Sequence, residues 1–232
     1  MKLKKVIKEL LLTIDSLLCP IVVPIVVRIK GVNLLHLSFD DVPFIMSEGG
    51  VLIPESFAHY LQNLLNEDIS MSLYLWNTTP MQLEKFVSIP SSCQIRIGFH
   101  DPFLMNDPQL ARRTTDVAVR FHGYKADKKD ILNFIKWGGQ YLLCCHDEKR
   151  ISYDLTAEEQ HLLNKRGMLK KTISYVKTDI RLEWPIIPQM LAMRHGNIIV
   201  VFAHEWGLPQ YAKRLISFIR ILRQEKIKII TF

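Results

Sequence analysis

Cysteine and glycine are scarce in this 232-residue sequence, which contains 4 Cys and 10 Gly. So few cysteines exclude a disulfide-rich scaffold, and the lack of any Cys-x-x-Cys pair disfavours a structural zinc knot or a thioredoxin motif. The sequence also lacks a Gly-x-Gly-x-x-Gly turn and a Gly-x-x-x-x-Gly-Lys-Ser/Thr loop, which disfavours the standard nucleotide sites. Low-complexity tracts are absent, so general disorder is excluded.

The sequence is instead rich in apolar residues, at 48%, and is long enough for one domain with a large core. Its 30 basic and 23 acidic residues give a net charge of +7. This bias favours anionic surroundings such as a membrane surface. The basic residues are scattered and form no recognition motif, so we expect no nucleic-acid partner. No pattern indicates the oligomeric state.

Residues 1–30 form a basic and apolar segment. Four lysines in the first eight residues precede an apolar stretch that Asp15, Pro20 and Pro24 interrupt. A central Asp disfavours a membrane-spanning helix, and the absence of a small-x-small cleavage site predicts a cytoplasmic protein. We expect an amphipathic helix that packs on the domain, with Asp15 outside the inward stripe. The alternative is a peripheral anchor on the inner face of the membrane. The predicted inward stripe consists of Ile7, Leu11, Ile14 and Leu18.

Residues 31–232 alternate short apolar runs with amphipathic helical patterns. The predicted strands are Leu34–Phe39, Ser70–Trp76, Ile95–Phe99, Val117–Phe121, Gln140–Cys145, Thr172–Val176, Ile198–Ala203 and Ile227–Phe232. Helices are predicted to begin at Pro54, Asp127 and Thr156, and another contains Leu215, Ile219 and Leu222 on one face. This alternation predicts a mainly parallel α/β sheet. Seven or eight such units in about 200 residues favour a closed or nearly closed barrel over the alternative, an open doubly wound sheet.

Polar residues gather where the predicted strands end, and in a parallel barrel these positions converge on one mouth. They include pairs after three strands and a cluster around residue 121: Asp40 and Asp41, His100 and Asp101, His204 and Glu205, then Arg120, His122 and Tyr124. Carboxylates and imidazoles together suit a divalent metal such as zinc, with one position open for water. Trp76, Trp184 or Trp206 in a shallow pocket would favour sugar stacking, although Trp also fills cores.

Residues 37–43, Leu-Ser-Phe-Asp-Asp-Val-Pro, resemble the Thr-Phe-Asp-Asp-Gly-Pro signature of NodB-like polysaccharide deacetylases. Three later segments are similar to further family motifs in the same order: Ile97–His100, Arg120–Tyr124 and Val201–His204. Thr178–Arg181 falls where the family carries an acidic motif. The resemblance spans roughly residues 34–210. It implies a single distorted (β/α)7 barrel domain, residues 31–232, that acts as a metal-dependent carbohydrate deacetylase.

The resemblance also implies a role for individual residues. Asp41 and His100 would bind the divalent metal, which the family suggests is zinc. Asp40 would be the general base that deprotonates the attacking water, and His204 the general acid that protonates the leaving amine. Arg120, braced by Asp179, would hold Asp40 ionised. Tyr124 would help to orient the carbohydrate substrate.

The sequence departs from the family pattern at the metal site. The family has a second histidine four residues after the first, and here that position is Leu104. The third ligand is therefore open between His122, Asp101 and Glu205. We prefer His122 because strand alternation would place it on the same face as Arg120.

These departures leave three hypotheses. The first is a metal-dependent hydrolase that removes an acyl group from an N-acetylated sugar. The second is a catalytically degenerate barrel that binds a glycan or a partner without turnover, motivated by Leu104. The third is an enzyme of the same scaffold that acts on a non-sugar amide.

Overall fold

The computed structural model describes residues 2–76, 85–144 and 174–232. The helices in these ranges are α1 (Lys2–Lys30), α2 (Glu55–Asn66), α3 (Pro108–Ala111), α4 (Lys128–Lys136), α5 (Ile186–Ala192) and α6 (Leu208–Gln224). The strands are β1 (Leu34–Pro43), β2 (Ile45–Ser47), β3 (Gly50–Pro54), β4 (Met71–Trp76), β5 (Phe86–Ser88), β6 (Ile95–Phe99), β7 (Ala118–Val119), β8 (Tyr141–Cys144), β9 (Ser174–Lys177), β10 (Ile180–Arg181), β11 (Ile198–His204) and β12 (Lys228–Ile230). Short 3-10 turns lie at Pro102–Asn106, His122–Tyr124 and Glu205–Gly207.

The protein is a mixed α/β structure with a mostly parallel central sheet. Its strand order is β10-β11-β1-β4-β6, and β12 also pairs with β1. A second parallel sheet has the order β7-β8-β9, and an antiparallel sheet, which the sequence analysis did not predict, has the order β2-β3-β5. Backbone hydrogen bonds join the two parallel sheets beside β6, where His122 N–H donates to the His100 carbonyl over 2.7 Å. The ladders of the described strands do not close the predicted barrel.

The two faces of strand β1 are both buried but differ in polarity. Leu35, Leu37 and Phe39 alternate on one side and are fully buried, with the Phe39 ring meeting the Phe57 ring of α2 edge to face at 5.6 Å. The intervening residues His36, Ser38 and Asp40 are also buried, on the opposite side. Strand β1 is therefore covered on both faces, as parallel strands are, and one of its faces is polar.

The helices largely begin where their capping patterns predict. The Asp127 carboxylate accepts a hydrogen bond from the Asp130 backbone N–H, and the Asp130 carboxylate accepts one from the Asp127 backbone N–H, which forms a capping box before α4. Gly138 follows that helix with φ 96°, a left-handed conformation that glycine adopts without strain. The strand predicted at Val117–Phe121 is reduced to β7. Cys145, residues 172–173 and the helix predicted at Thr156 lie outside the described residues.

Helix α1 packs on α5 and α6, but through a different face from the predicted one. Ile7, Leu11, Ile14 and Leu18 are each 44–51% exposed, whereas Asp15 is 4% exposed. The Asp15 carboxylate accepts the backbone N–H groups of Ile186 and Ile187 over 2.7 Å each, and so caps the start of α5. The prediction of the inward stripe was wrong because an acidic residue was assumed to face solvent.

The buried imidazole of His36 predicts acid sensitivity. Burial, with the nearby charge of Arg120, lowers the pKa of His36 to about 3 from 6.5. Because the folded-state pKa lies below the unfolded one, neutral His36 contributes to the free energy of unfolding above pH 6.5. This contribution is lost as the pH falls toward 3. Between pH 7 and 4.5 we expect wild type to lose ~2–3 kcal/mol more unfolding free energy than His36→Leu.

Urea unfolding at both pH values measures this difference. His59→Leu is the matched control, because His59 is exposed on α2. Equal acid losses in wild type and His36→Leu would contradict the assignment.

Candidate metal centre

The two adjacent carboxylates of β1 point in different directions, and the strand is irregular at the second of them. Asp40 continues the inward alternation, is 1% exposed and stands opposite His204 of β11 in register. The pairing of β1 with β4 shifts between Phe39 and Val42, and Asp41 has φ 56°. Asp tolerates this left-handed conformation better than most residues. The irregularity turns Asp41 out of the alternation, toward the histidines.

Three histidines from distant parts of the sequence surround the Asp41 carboxylate. His122 Nδ1 lies 3.0 Å and His100 Nε2 3.3 Å from Asp41 Oδ1, and His204 Nε2 lies 3.7 Å from Oδ2. Burial disfavours ionisation of Asp41, but the hydrogen bond and charge of His100, followed by the other two imidazoles, outweigh it. The pKa of Asp41 is therefore held well below its usual range.

The His100 ring is held in an orientation that suits a metal ligand. Its Nδ1–H donates to the Arg120 backbone carbonyl, so Nε2, the atom that faces Asp41, is the ring nitrogen available to bind a metal. Such a hydrogen bond on the far ring nitrogen fixes the orientation of metal-binding histidines. The His122 ring stacks on Trp76 with centroids 4.0 Å apart. Both imidazoles are thus positioned by groups behind them.

Asp40 and Arg120 form a buried ion pair beside this cluster. Arg120 Nη1 donates to both carboxylate oxygens over 3.0 Å, and its guanidinium lies 4.3 Å above the Phe202 ring. Nη1 also donates to Ser38 Oγ, and Nη2 donates to Thr178 Oγ1 over 2.8 Å. Despite desolvation, the carboxylate raises the pKa of Arg120 above its already high value. Arg120 therefore stays charged in the interior.

The contacts of Asp179 differ from the predicted ones. Its carboxylate accepts the Val200 backbone N–H over 2.9 Å, and the Arg120 guanidinium is contacted by the preceding residue, Thr178. Thr178, in the link between β9 and β10, therefore occupies the place beside Arg120 that was predicted for Asp179. Burial raises the pKa of Asp179 to about 6.

His204 is held by Glu183, a residue that no sequence pattern indicates. Glu183 Oε1 accepts both the backbone N–H of His204 over 2.7 Å and its ring Nδ1–H over 2.8 Å. These hydrogen bonds lower the pKa of Glu183 against the effect of its burial. Nε2 of His204 is left facing Asp41, and Trp206 stacks on the other side of the ring with centroids 5.2 Å apart. Glu183 follows the two-residue strand β10, which has no apolar run to reveal it.

The structure brings His122 to the expected partners for a reason other than the predicted one. Strand β7 ends at Val119, and His122 lies on the 3-10 turn that follows, where it is 48% exposed. Arg120 points inward, so alternation does not place the two residues on one face. Leu104 packs partly buried against the core. Tyr124 is half-buried on the turn of His122.

Asp41, His100 and His122 are a group that could hold a metal ion. Their ligand atoms lie within 4.8 Å of one another, and Asp101 and Glu205 belong to no such group in the described part of the chain. Ligands ~2.0–2.2 Å from a shared tetrahedral ion lie roughly 3.3–3.6 Å apart, close to the 3.0 and 3.3 Å seen around Asp41 Oδ1. One carboxylate and two imidazoles are also a common zinc-type donor set. The residues present therefore fit a divalent metal.

Comparisons with known proteins find structural similarity at low sequence identity. No family model matches the sequence, and no curated protein matches it. Among solved structures, the chain is similar to a protein of Bordetella bronchiseptica provisionally described as a polysaccharide deacetylase involved in O-antigen biosynthesis. The identity is 12%, the match covers 82% of each chain, and the TM-score is 0.40.

Proposed function

We propose that the protein is a metal-dependent hydrolase that removes an acyl group from an N-acetylated sugar. The observation that supports this most directly is the convergence of Asp41, His100 and His122, with the ion-paired Asp40 next to them in the chain. A second carboxylate beside a carboxylate–imidazole metal group is what a hydrolytic centre needs to manage a proton near the attacking water.

Each residue has a distinct proposed role. Asp41, His100 and His122 would hold a divalent ion, which when bound would polarise the amide carbonyl and acidify water. Asp40 accepts the proton from the attacking water, and Arg120 orients this carboxylate through hydrogen bonds to both of its oxygens. His204 protonates the leaving amine through Nε2, because Glu183 occupies its Nδ1. Asp40 therefore acts as the base that accepts a proton, and His204 acts as the acid that donates one.

Aromatic side chains favour a sugar as the substrate over a non-sugar amide. Trp76 stacks on His122, and Trp206 stacks on His204, so tryptophans flank two of the histidines. Trp206 is 60% exposed, which leaves its ring open to contact a ligand. Sugar rings present C–H faces that pack on such open aromatic surfaces.

The alternative function is a catalytically degenerate barrel that binds a glycan or a partner without turnover. Leu104 favours it, because the residue at this position of the family motif is apolar and cannot bind a metal. Half-exposed His122, held by stacking and one hydrogen bond, would then be a binding residue.

Metal analysis and an acetate-release assay on N-acetylated amino-sugar oligomers separate the two functions. We expect one tightly bound divalent metal per chain and turnover that Asp40→Asn lowers about 10²–10⁴-fold while the metal is retained. His204→Gln, which leaves the buried ion pair intact, should do the same. Sugar binding without bound metal and without acetate release would support the degenerate barrel instead.

A further inference from the structure

The outward face of α1 is apolar along nearly the whole helix. Ten large apolar side chains between Val6 and Ile29 are exposed there, including Leu17 at 72% and Ile21 at 63%. The largest apolar patch on a typical soluble monomer covers only ~300–600 Å² and is often functional. By length and composition, Val6–Lys30 is also apolar enough to cross a membrane, and 28% of its most apolar window is buried. This face therefore needs a covering partner.

The opposite face of α1 is already occupied by the domain. Cys19, Val23, Val26 and Val27 are buried on it, and the Asp15 carboxylate caps α5. Arg28, in the last turn of α1, donates two hydrogen bonds to Glu225 beyond α6. The helix is thus fixed lengthwise along the domain, and its apolar face points away from it.

The charges at the helix ends select among possible partners. Four lysines lie in the first eight residues, and the last turn contains Lys30 beside Arg28, which is already paired with Glu225. If two copies of α1 paired, either parallel or antiparallel, these like charges would meet at both ends. Anionic lipid headgroups would neutralise both ends at once, at about 1 kcal/mol per basic residue near the surface.

We propose that α1 docks the protein on an anionic bilayer and lies in the plane of the interface. Its apolar face enters the headgroup–acyl boundary, and the domain remains outside. A spanning helix would have to pull Asp15 away from the two N–H groups that it caps and place it in hydrocarbon, so the docked arrangement favours the interface.

The same arrangement brings a cavity that borders α1 toward the lipid. The N-terminal half of α1, including Leu12 and Leu17, forms one wall of a cavity of about 590 Å³. The other wall contains Glu183 and Trp206, the two residues that hold and stack on His204.

Vesicle flotation of the full chain tests the proposal. We expect wild type to float with vesicles of phosphatidylcholine and phosphatidylglycerol, to bind pure phosphatidylcholine vesicles less, and to be released partly by salt. Ile21→Glu combined with Ile25→Glu, two exposed residues of α1 outside the cavity, should lower the bound fraction by about tenfold or more. Ile45→Glu, an equivalent change at an exposed apolar residue of β2, is the matched control and should bind like wild type.

Three results would overturn the proposal. In the first, the wild-type chain does not bind vesicles and forms a dimer, whereas the double variant is monomeric. The partner of α1 would then be a second copy of the chain. The second is N-terminal sequencing of the mature protein that shows α1 removed. The third concerns Asp15→Leu, which should lower Tm if α1 stays docked; unchanged Tm with stronger membrane retention would indicate a spanning helix.

Discussion

Replacing Arg120 with methionine is expected to lower the free energy of unfolding by ~3–5 kcal/mol and Tm by roughly 10 °C. The reason is the position of its partner: the side chains of Arg120 and Asp40 are 2% and 1% exposed, so the variant leaves a carboxylate buried without its counter-charge. The methionine fills much of the same space, so the loss reports mainly on charge. Urea unfolding monitored by circular dichroism measures it.

A double variant and a surface variant test the cause. Asp40→Asn with Arg120→Met removes both charges and should lose less stability than Arg120→Met alone, because a neutral buried pair needs no compensation. Arg220→Met is the matched control: Arg220 contacts Glu67 over 2.6 Å, but their side chains are 61% and 34% exposed. It should cost no more than ~1 kcal/mol. Equal losses at the two arginines would contradict the buried-pair interpretation.

Replacing His122 with alanine is expected to weaken divalent metal binding by at least about 100-fold. Loss of a group that only supports a ligand costs ~10–100-fold in metal affinity, and His122 is proposed as a direct ligand. Its 48% exposure and its place on a surface turn mean that truncation should hardly change stability. Isothermal titration with Zn²⁺ into the metal-free protein measures the affinity directly.

The control for this experiment is His59→Ala, which removes an exposed imidazole from α2 and should leave the affinity unchanged. Asp41→Ala gives the reference for loss of the whole centre, because Asp41 lies within 3.3 Å of both candidate ring nitrogens. If His122→Ala binds zinc like wild type while Asp41→Ala does not, a group other than His122 completes the centre.

The sequence predicted the central strands well and the smaller ones poorly. Strands β1, β4 and β11 carry long apolar runs, because both of their faces are covered, and their bounds were found within a few residues. The two-residue strand β10 has no periodicity to detect. Barrel closure depends on long-range pairing between strand edges, and short-range patterns in the chain do not encode that pairing.

Predictions for the candidate site followed the same division. Asp41 and His100 lie at the ends of strands that the sequence pattern identifies. Because such strand ends were predicted to share one edge of the sheet, the two residues were correctly expected to lie close together. Glu183 was missed because its importance depends on His204, a residue 21 positions away that only the β10–β11 pairing brings near. Asp15 was misplaced because helical periodicity treats a carboxylate as solvent-facing, whereas here it caps another helix.

The Asp15 cap bears on how the protein can be handled. Gln189 of α5 hydrogen-bonds to both backbone groups of Arg181, Arg181 donates to Glu183, and Glu183 holds the His204 ring. A continuous series of hydrogen-bonded contacts therefore links the first helix to His204, the proposed acid. Removing residues 1–30 to gain solubility would remove the valines that α1 buries against the domain. It would also remove the Asp15 cap with which this series of contacts begins. A shortened version would therefore disturb the candidate site, and detergent is the gentler route to a soluble sample.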